Sequence, residues 1–179
     1  WVRLNFVLQD AASPGDAQWQ ATYARIIGDF RAAGMKVYGL IGGEAVKTPL
    51  GRRLLDSVQQ KTADGTRGEA EAWLQEYEHN FLQIVRRFGA EVPYFESFNE
   101  PDNWAIAGEQ RAVVHPTWFA QMLDRLWHAV KQEGLPVKLV SGPLLGMFHH
   151  QPSGEAAPAY LRQVYDEGRR LGWHSAGRF

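Results

Sequence analysis

The residues best suited to chemistry lie in one stretch, residues 92–104, which reads V-P-Y-F-E-S-F-N-E-P-D-N-W. Its first half is apolar and aromatic, as in a buried strand, and its second half is a polar turn that contains Pro101. A residue before proline is disfavoured in the helical region, so we expect the strand to end near Glu100. This places a carboxylic acid, which can give and take a proton, at the C-terminal tip of a strand, with Asn99 and Trp104 nearby. In parallel α/β barrels that edge carries the chemistry.

Composition sets the broad class of the protein. The chain has 179 residues, of which 45% are hydrophobic and 22% are charged, as is typical of one globular domain. The net charge of −1 gives no basic surface for nucleic acid, and no apolar run is long enough to span a membrane. Because the sequence contains no cysteine, disulfides and thiolate metal sites are excluded. The chain begins at Trp1 inside a predicted strand, so we expect natural sequence upstream of it.

Strands and helices are predicted to alternate, with four of each. The strands are predicted at residues 2–8, 35–41, 92–100 and 136–141. Apolar stripes at helical spacing predict the helices between Asp16 and Gly34, between Thr66 and Gly89, between Pro116 and Gly134, and at residues 157–171. A short extra helix is predicted at residues 48–58, in the loop after the second strand.

Two architectures fit such a repeat: an open doubly wound sheet and a closed (β/α)8 barrel, the TIM barrel. A nucleotide-binding doubly wound sheet would need a glycine-rich fingerprint after its first strand, and none is present. Polar residues within the strands, Arg3, Asn5 and Glu96, favour the barrel, whose upper interior holds functional groups. A buried carboxylate needs a partner, and for Glu96 we expect a structural ion pair with Arg3.

Three stretches of sequence carry a resemblance to a known family. F-N-E-P, with a second glutamate four residues before its own in E-S-F-N-E, resembles the fourth strand of the clan A glycoside hydrolases, which are retaining glycosidases on a (β/α)8 barrel. W-V-R-L-N-F is similar to their second strand, where an arginine often lies near the active site. K-L-V-S-G-P is similar to the fifth strand of the branches that hydrolyse xylosides and related sugars. The resemblance implies an O-glycosyl hydrolase with a carbohydrate substrate, and we expect no cofactor.

The resemblance also assigns roles to individual residues. Glu100 matches the general acid/base, which protonates the leaving glycosidic oxygen and then deprotonates water. Asn99 matches the asparagine that hydrogen-bonds the sugar 2-hydroxyl. Arg3 and Asn5 are candidates for lining the same site, with structural roles as the alternative. The family's nucleophile is a carboxylate about 5–5.5 Å from the acid/base. It comes from the seventh strand, which this chain does not offer.

Four strand–helix units are fewer than a barrel requires. A complete barrel takes roughly 250 residues, whereas the units here match strands two to five of the family. We therefore expect a partial catalytic barrel, one domain over residues 1–179, that associates with the remainder of the barrel or with another copy of the chain. This fragment is expected not to hydrolyse glycosides alone. A catalytically silent barrel that binds carbohydrate is the alternative, which the seventh-strand carboxylate would decide.

Three loop residues are further candidates for substrate binding. Glu44, at the tip of the second strand, contacts sugar hydroxyls or is a solvated surface residue. Trp104 stacks on a sugar face or packs within its own loop. His149 and His150 follow the fourth strand, and at most one of two adjacent side chains faces the site. Since no third ligand is spaced with these histidines, no metal site is predicted.

Overall fold

The structure is a computed structural model that describes residues 1–8, 11, 13–43, 58, 67–103, 114–145 and 156–173. Within these residues the chain is an α/β protein in which four parallel strands alternate with four helices, as the sequence predicts. The strands are β1 (Val2–Asn5), β2 (Val37–Ile41), β3 (Tyr94–Ser97) and β4 (Lys138–Ser141). The helices are α1 (Ala17–Ala32), α2 (Arg67–Phe88), α3 (Pro116–Gln132) and α4 (Ala156–Arg170). Among these described helices, none combines the length and the apolar character needed to cross a bilayer.

The described strands form one sheet in the order β1-β2-β3-β4, and every neighbouring pair is parallel. Arg3 of β1 lies opposite Tyr38 of β2, and Leu40 of β2 lies opposite Glu96 of β3. Each strand pairs with the one before it in sequence, so the strand order does not reverse within this sheet. In a doubly wound sheet the order does reverse. Because all the described strands are parallel, their carboxyl ends lie at one edge of the sheet.

Local signals account for where the helices begin and end. Asp16 caps α1, because its side chain accepts a hydrogen bond from the backbone N–H of Trp19 at 2.8 Å. Pro116 opens α3 at a position where its missing N–H leaves no bond unmade. Gly34 and Gly134 follow α1 and α3 with φ of 76° and 61°, the left-handed conformation in which glycine ends helices. The predicted ends of these two helices are confirmed.

An aromatic core fills the space between the sheet and its first two helices. Phe6, just beyond β1, and Phe95 of β3 are fully buried. The ring of Phe6 stacks on Tyr23 of α1 with centroids 4.8 Å apart, and it lies 5.4 Å from Phe88 of α2. Phe95 meets Phe81 of α2 edge-on at 6.2 Å. Burying each such ring contributes about 1.5–3 kcal/mol, so this core fixes one face of the sheet against α1 and α2.

The opposite face of the sheet carries polar and charged side chains. Strand alternation puts Arg3, Tyr38 and Glu96 there, on the side away from the aromatic core. Trp1 and Tyr94 lie on the same face nearer the amino ends of the strands, with their rings edge-to-face at 5.6 Å. The polar strand residues that favoured a barrel over a doubly wound sheet are thus gathered on one face.

The first strand ends earlier than predicted. β1 ends at Asn5 rather than at Leu8, because side chains of α1 take over the backbone groups that a longer strand would use. The N–H of Val7 donates to the hydroxyl of Tyr23 at 2.7 Å, and its carbonyl accepts from the indole of Trp19 at 2.8 Å. Helix α1 therefore seals the end of this strand.

The third strand also ends earlier than predicted, so Glu100 does not lie at the tip of the strand itself. β3 ends at Ser97, three residues before Glu100. Phe98 and Glu100 have φ of 69° and 49°, which lie outside the extended region and are uncommon for residues other than glycine. The glutamate thus follows the strand in a tight left-handed turn.

The remaining predicted elements agree with the structure to within two residues or lie outside its described part. β2 and β4 begin at Val37 and Lys138, two residues after their predicted starts. The short helix predicted at residues 48–58 lies outside the described residues except for Val58, which is helical and buried.

Two glycine-to-alanine substitutions should change stability in opposite directions. In β2, a methyl group at Gly39 would lie 2.8 Å from the ring of Phe95 and 3.1 Å from that of Phe6. Gly39→Ala should therefore lower the free energy of unfolding by about 1–3 kcal/mol. In α1, nothing lies within 4 Å of such a methyl group at Gly28, so Gly28→Ala should raise it by about 0.5–1 kcal/mol. Urea denaturation measures both changes, and shifts in the same direction would contradict the described packing.

Candidate functional site

The chain segments that follow β2, β3 and β4 converge at the carboxyl edge of the sheet. After β3, the N–H of Phe98 donates to the carbonyl of Ile41 at 2.9 Å, and the N–H of Glu100 donates to the carbonyl of Pro143 at 3.1 Å. A methyl group at Gly142 would overlap the carbonyl oxygen of Phe98, so glycine is needed for the chain after β4 to approach this closely. Backbone contacts from two neighbouring strands therefore hold the turn that carries Glu100.

A buried carboxylate lies at the centre of this region. Glu96 is 2% exposed, and the Nε of Arg3 donates to its Oε2 at 2.9 Å. The Nη2 of Arg3 donates to Oε1, and the hydroxyl of Tyr38 donates to Oε2. Two donor side chains make three hydrogen bonds to this carboxylate, and the cationic one binds both oxygens, which offsets the cost of burying the charge. The predicted partnership of Arg3 with Glu96 is confirmed.

Arg3 also connects the buried carboxylate of Glu96 to Asn99. Its Nη2 also donates to the side-chain oxygen of Asn99 at 2.8 Å. A guanidinium has donors and no acceptor, so the amide oxygen must face Arg3. The NH2 end of the Asn99 amide then points elsewhere, as a potential donor to a bound molecule.

Glu100 is held far more loosely than Glu96. It is partly buried, and its Oε2 accepts a hydrogen bond from the side-chain amide of Asn103 at 3.4 Å, which is long for such a bond. The negative charge of Glu100 nevertheless contributes to raising the pKa of Arg3, so the two side chains lie close enough to interact electrostatically. Within the described part of the chain, the bond from Asn103 is the hydrogen bond that the Glu100 side chain makes, so its carboxyl group is less constrained than that of Glu96.

Both donors to Glu96 keep their protons at physiological pH. The pKa of Arg3 is raised, because its hydrogen bond to Glu96 outweighs the lowering by partial burial and the negative charges of Glu96 and Glu100 raise it further. Burial raises the pKa of Tyr38 well above its usual value, and the hydrogen bond to Glu96 raises it further. Tyr38 is therefore a proton donor in this cluster, and Arg3 is a permanent cation.

Of the residues predicted from the sequence, Arg3, Asn99 and Glu100 are brought together at the carboxyl edge. Asn5, at the end of β1, lies opposite Leu40, which in turn lies opposite Glu96, and it is exposed. It lies in the same row of the sheet as Glu96 but two strands away, so its place in lining the site stays a prediction. The predicted residues Glu44, Trp104 and His149 lie outside the described residues.

Two residues at or near the site were not predicted from the sequence. Tyr38 bonds Glu96 from the strand between the partners of the ion pair. Strand alternation could have found it, because Tyr38 lies in β2 at the position opposite Arg3. Asp102 was also missed, and its carboxylate accepts from the N–H of Leu145 at 2.8 Å, which ties the loop after β4 to the loop after β3.

Metal binding and comparisons with other proteins add no assignment. Across the described residues, no group of three or more histidine, aspartate and glutamate side chains is arranged to hold a metal ion. No protein-family model matches the sequence, and no curated protein matches it significantly. The function of this chain must therefore be inferred from the geometry of the site and from the sequence motif.

Removing the guanidinium should destabilise the fold. Arg3→Met leaves Glu96 buried without its cation, so the free energy of unfolding should fall by about 2–3 kcal/mol. This is less than the roughly 3–5 kcal/mol of a fully buried pair, because the Arg3 side chain is 41% exposed. Arg25→Met is the matched control, since Arg25 and its partner Asp29 are both 69% exposed, and its effect should stay within about 0.5 kcal/mol. Equal losses in urea denaturation would show that the Arg3 pair is not special.

The raised pKa of Tyr38 should appear in the alkaline stability of the protein. An unfolded tyrosine releases its proton at about pH 10, its ordinary pKa in peptides, whereas the pKa of folded Tyr38 is raised, so it keeps its proton to higher pH. The native state then binds more protons than the unfolded state, so stability falls as the pH rises above about 10. Tyr38→Phe should lower stability at pH 7 by about 1 kcal/mol and make the alkaline fall shallower. Urea denaturation at a series of alkaline pH values tests this, and a slope identical to that of the wild type would contradict it.

Proposed function

We propose that this chain is part of a retaining glycoside hydrolase, in which Glu100 is the general acid/base for cleavage of O-glycosidic bonds. The observation that carries the proposal is that Arg3 hydrogen-bonds both Glu96 and Asn99. Asn99 directly precedes Glu100 in the sequence. The residues of the E-S-F-N-E-P motif are thereby held at the carboxyl ends of parallel strands, the edge at which barrel enzymes act.

The arrangement of the sheet supports a (β/α)8 barrel as the complete fold. The strands are parallel and follow one another in sequence order, as they do around a barrel. Apolar aromatic residues face α1 and α2, and the polar cluster of Arg3, Tyr38 and Glu96 lies on the other face, which in a barrel becomes the interior. Four such units form an arc of the barrel, and the remainder of the barrel or another copy of the chain completes it.

In the proposed mechanism, Glu100 acts in two successive proton transfers. It first donates its proton to the glycosidic oxygen, while a carboxylate from outside this chain bonds to the anomeric carbon and the C–O bond to the leaving group breaks. The ionised Glu100 then takes a proton from water, whose oxygen attacks the anomeric carbon and releases the nucleophile. Among the described residues Glu100 makes one long side-chain hydrogen bond, which suits a group that gives and takes a proton in the proposed mechanism.

Asn99 and Arg3 have supporting roles in this scheme. Because Arg3 occupies the amide oxygen of Asn99, the NH2 group is the end that faces a sugar. A donor in that position can bind the 2-hydroxyl, an interaction that strengthens as the sugar ring gains positive charge in the transition state. Arg3 serves to orient this amide and to neutralise Glu96.

Substitution of the acid/base tests the proposal in the complete natural protein, since the proposed nucleophile lies outside this chain. Glu100→Gln should slow hydrolysis of glycosides with poor leaving groups by about 10²–10⁴-fold. Dinitrophenyl glycosides need no proton to leave, so the first step should survive with them. Added azide should then restore turnover and give a glycosyl azide of retained configuration, because azide needs no general base.

Glu69→Gln is the matched control for this experiment. Glu69 is an exposed glutamate in the first turn of α2, and its amide should leave both rates unchanged. If Glu100→Gln hydrolyses poor substrates as fast as the wild type does, Glu100 is not the acid/base. If the complete wild-type protein binds sugars without cleaving any glycoside, the enzymatic proposal fails.

A further inference from the structure

A buried tyrosine of α2 contacts the turn that carries Glu100 from the side opposite the polar cluster. Tyr77 is fully buried, and its hydroxyl donates to the carbonyl of Ile41 at 2.5 Å. The same hydroxyl accepts from the N–H of Phe98 at 3.1 Å, and that N–H also donates to Ile41 at 2.9 Å. The hydroxyl therefore joins the end of β2 to the first residue after β3.

The conformation of this turn requires such support. Phe98 and Glu100 both have positive φ, which residues with side chains adopt only when their surroundings hold them. Asn99 lies between them, so the directions of its amide and of the Glu100 carboxyl both depend on this backbone. A change in φ at Phe98 would redirect both side chains together.

The ring of Tyr77 is itself fixed. It stacks on Trp73 with centroids 5.3 Å apart and planes 15° apart, and it lies 6.2 Å from the ring of Phe98. Trp73 and Phe98 are also buried. Because the ring is fully buried and stacked on a second buried ring, close packing restrains its hydroxyl at this backbone position.

We infer that Tyr77 is a positioning residue, which sets the direction of Asn99 and Glu100 by holding Phe98 in its left-handed conformation. This inference rests on the proposed function of Glu100. Tyr77 touches no substrate, and it acts through the backbone. Loss of its hydroxyl should impair proton delivery to the leaving oxygen while sparing steps that need no such proton.

The test compares two substrates in the complete natural protein with Tyr77→Phe, which keeps the ring and its packing. For an unactivated aryl glycoside, kcat should fall about 10-fold, because a small displacement of a catalytic group costs one to two orders of magnitude. For the dinitrophenyl glycoside, the rate of the first step should change less than about 2-fold. A merely structural loss would lower the active fraction and hence both rates by the same factor.

Tyr23→Phe is the matched control. Tyr23 is also a buried tyrosine, and its hydroxyl bonds backbone groups at the end of β1, at Asn5 and Val7. It makes no described contact with the turn after β3, so the ratio of the two rates should match that of the wild type. An unchanged ratio in Tyr77→Phe, or an equal change in Tyr23→Phe, would overturn the inference.

A second measurement does not depend on activity. Amide hydrogen exchange at Phe98, Asn99 and Glu100 should accelerate in Tyr77→Phe relative to Phe95 within β3. Unchanged relative exchange would overturn the inference even if the enzyme is a glycosidase. If Glu100→Gln leaves hydrolysis intact, the proposed function fails instead, and the exchange data still decide whether Tyr77 holds the turn.

Discussion

The candidate site depends on a carboxylate that is buried in a parallel sheet and neutralised by one guanidinium. Glu96 in β3 is 2% exposed, and Arg3 reaches it from β1 across the intervening strand. A buried ion pair often contributes no more to stability than apolar side chains of the same volume would. The contribution of this pair therefore lies in the side chains that it orients. Arg3 also binds Asn99, and the charge pair thereby fixes the side chain that precedes Glu100.

Two glutamates four residues apart have opposite surroundings. Both carboxylate oxygens of Glu96 accept hydrogen bonds, which come from Arg3 and Tyr38. Glu100 is partly buried, and within the described residues its side chain accepts one long hydrogen bond, from Asn103. Similar chemical groups acquire different tasks from their environments, and here the structural task belongs to the first and the proposed acid/base task to the second.

Features set by local sequence were predictable, and features set by distant contacts were not. The ends of α1 and α3 follow from Gly34 and Gly134, because glycine adopts the left-handed conformation at low cost. Strand alternation placed Glu96 on the polar face and led to Arg3 as its partner.

The end of β3 could not be predicted in the same way. The proline rule applies to the residue directly before Pro101, but the strand stops at Ser97 because of contacts from elsewhere. The hydroxyl of Tyr77 and the close approach of Gly142 hold Phe98 in a conformation that its own side chain disfavours.

In the proposed mechanism, Glu100 works opposite a second carboxylate across the bound sugar. The most direct measurement is the structure of the complete natural protein with a bound, unreactive glycoside. We expect a carboxylate from outside this chain about 5–5.5 Å from the Glu100 carboxyl group, with the glycosidic oxygen within hydrogen-bonding distance of Glu100. A nearest carboxylate about 6.5–9.5 Å away would indicate an inverting enzyme, and either that spacing or a sugar bound away from Glu100 would contradict the account.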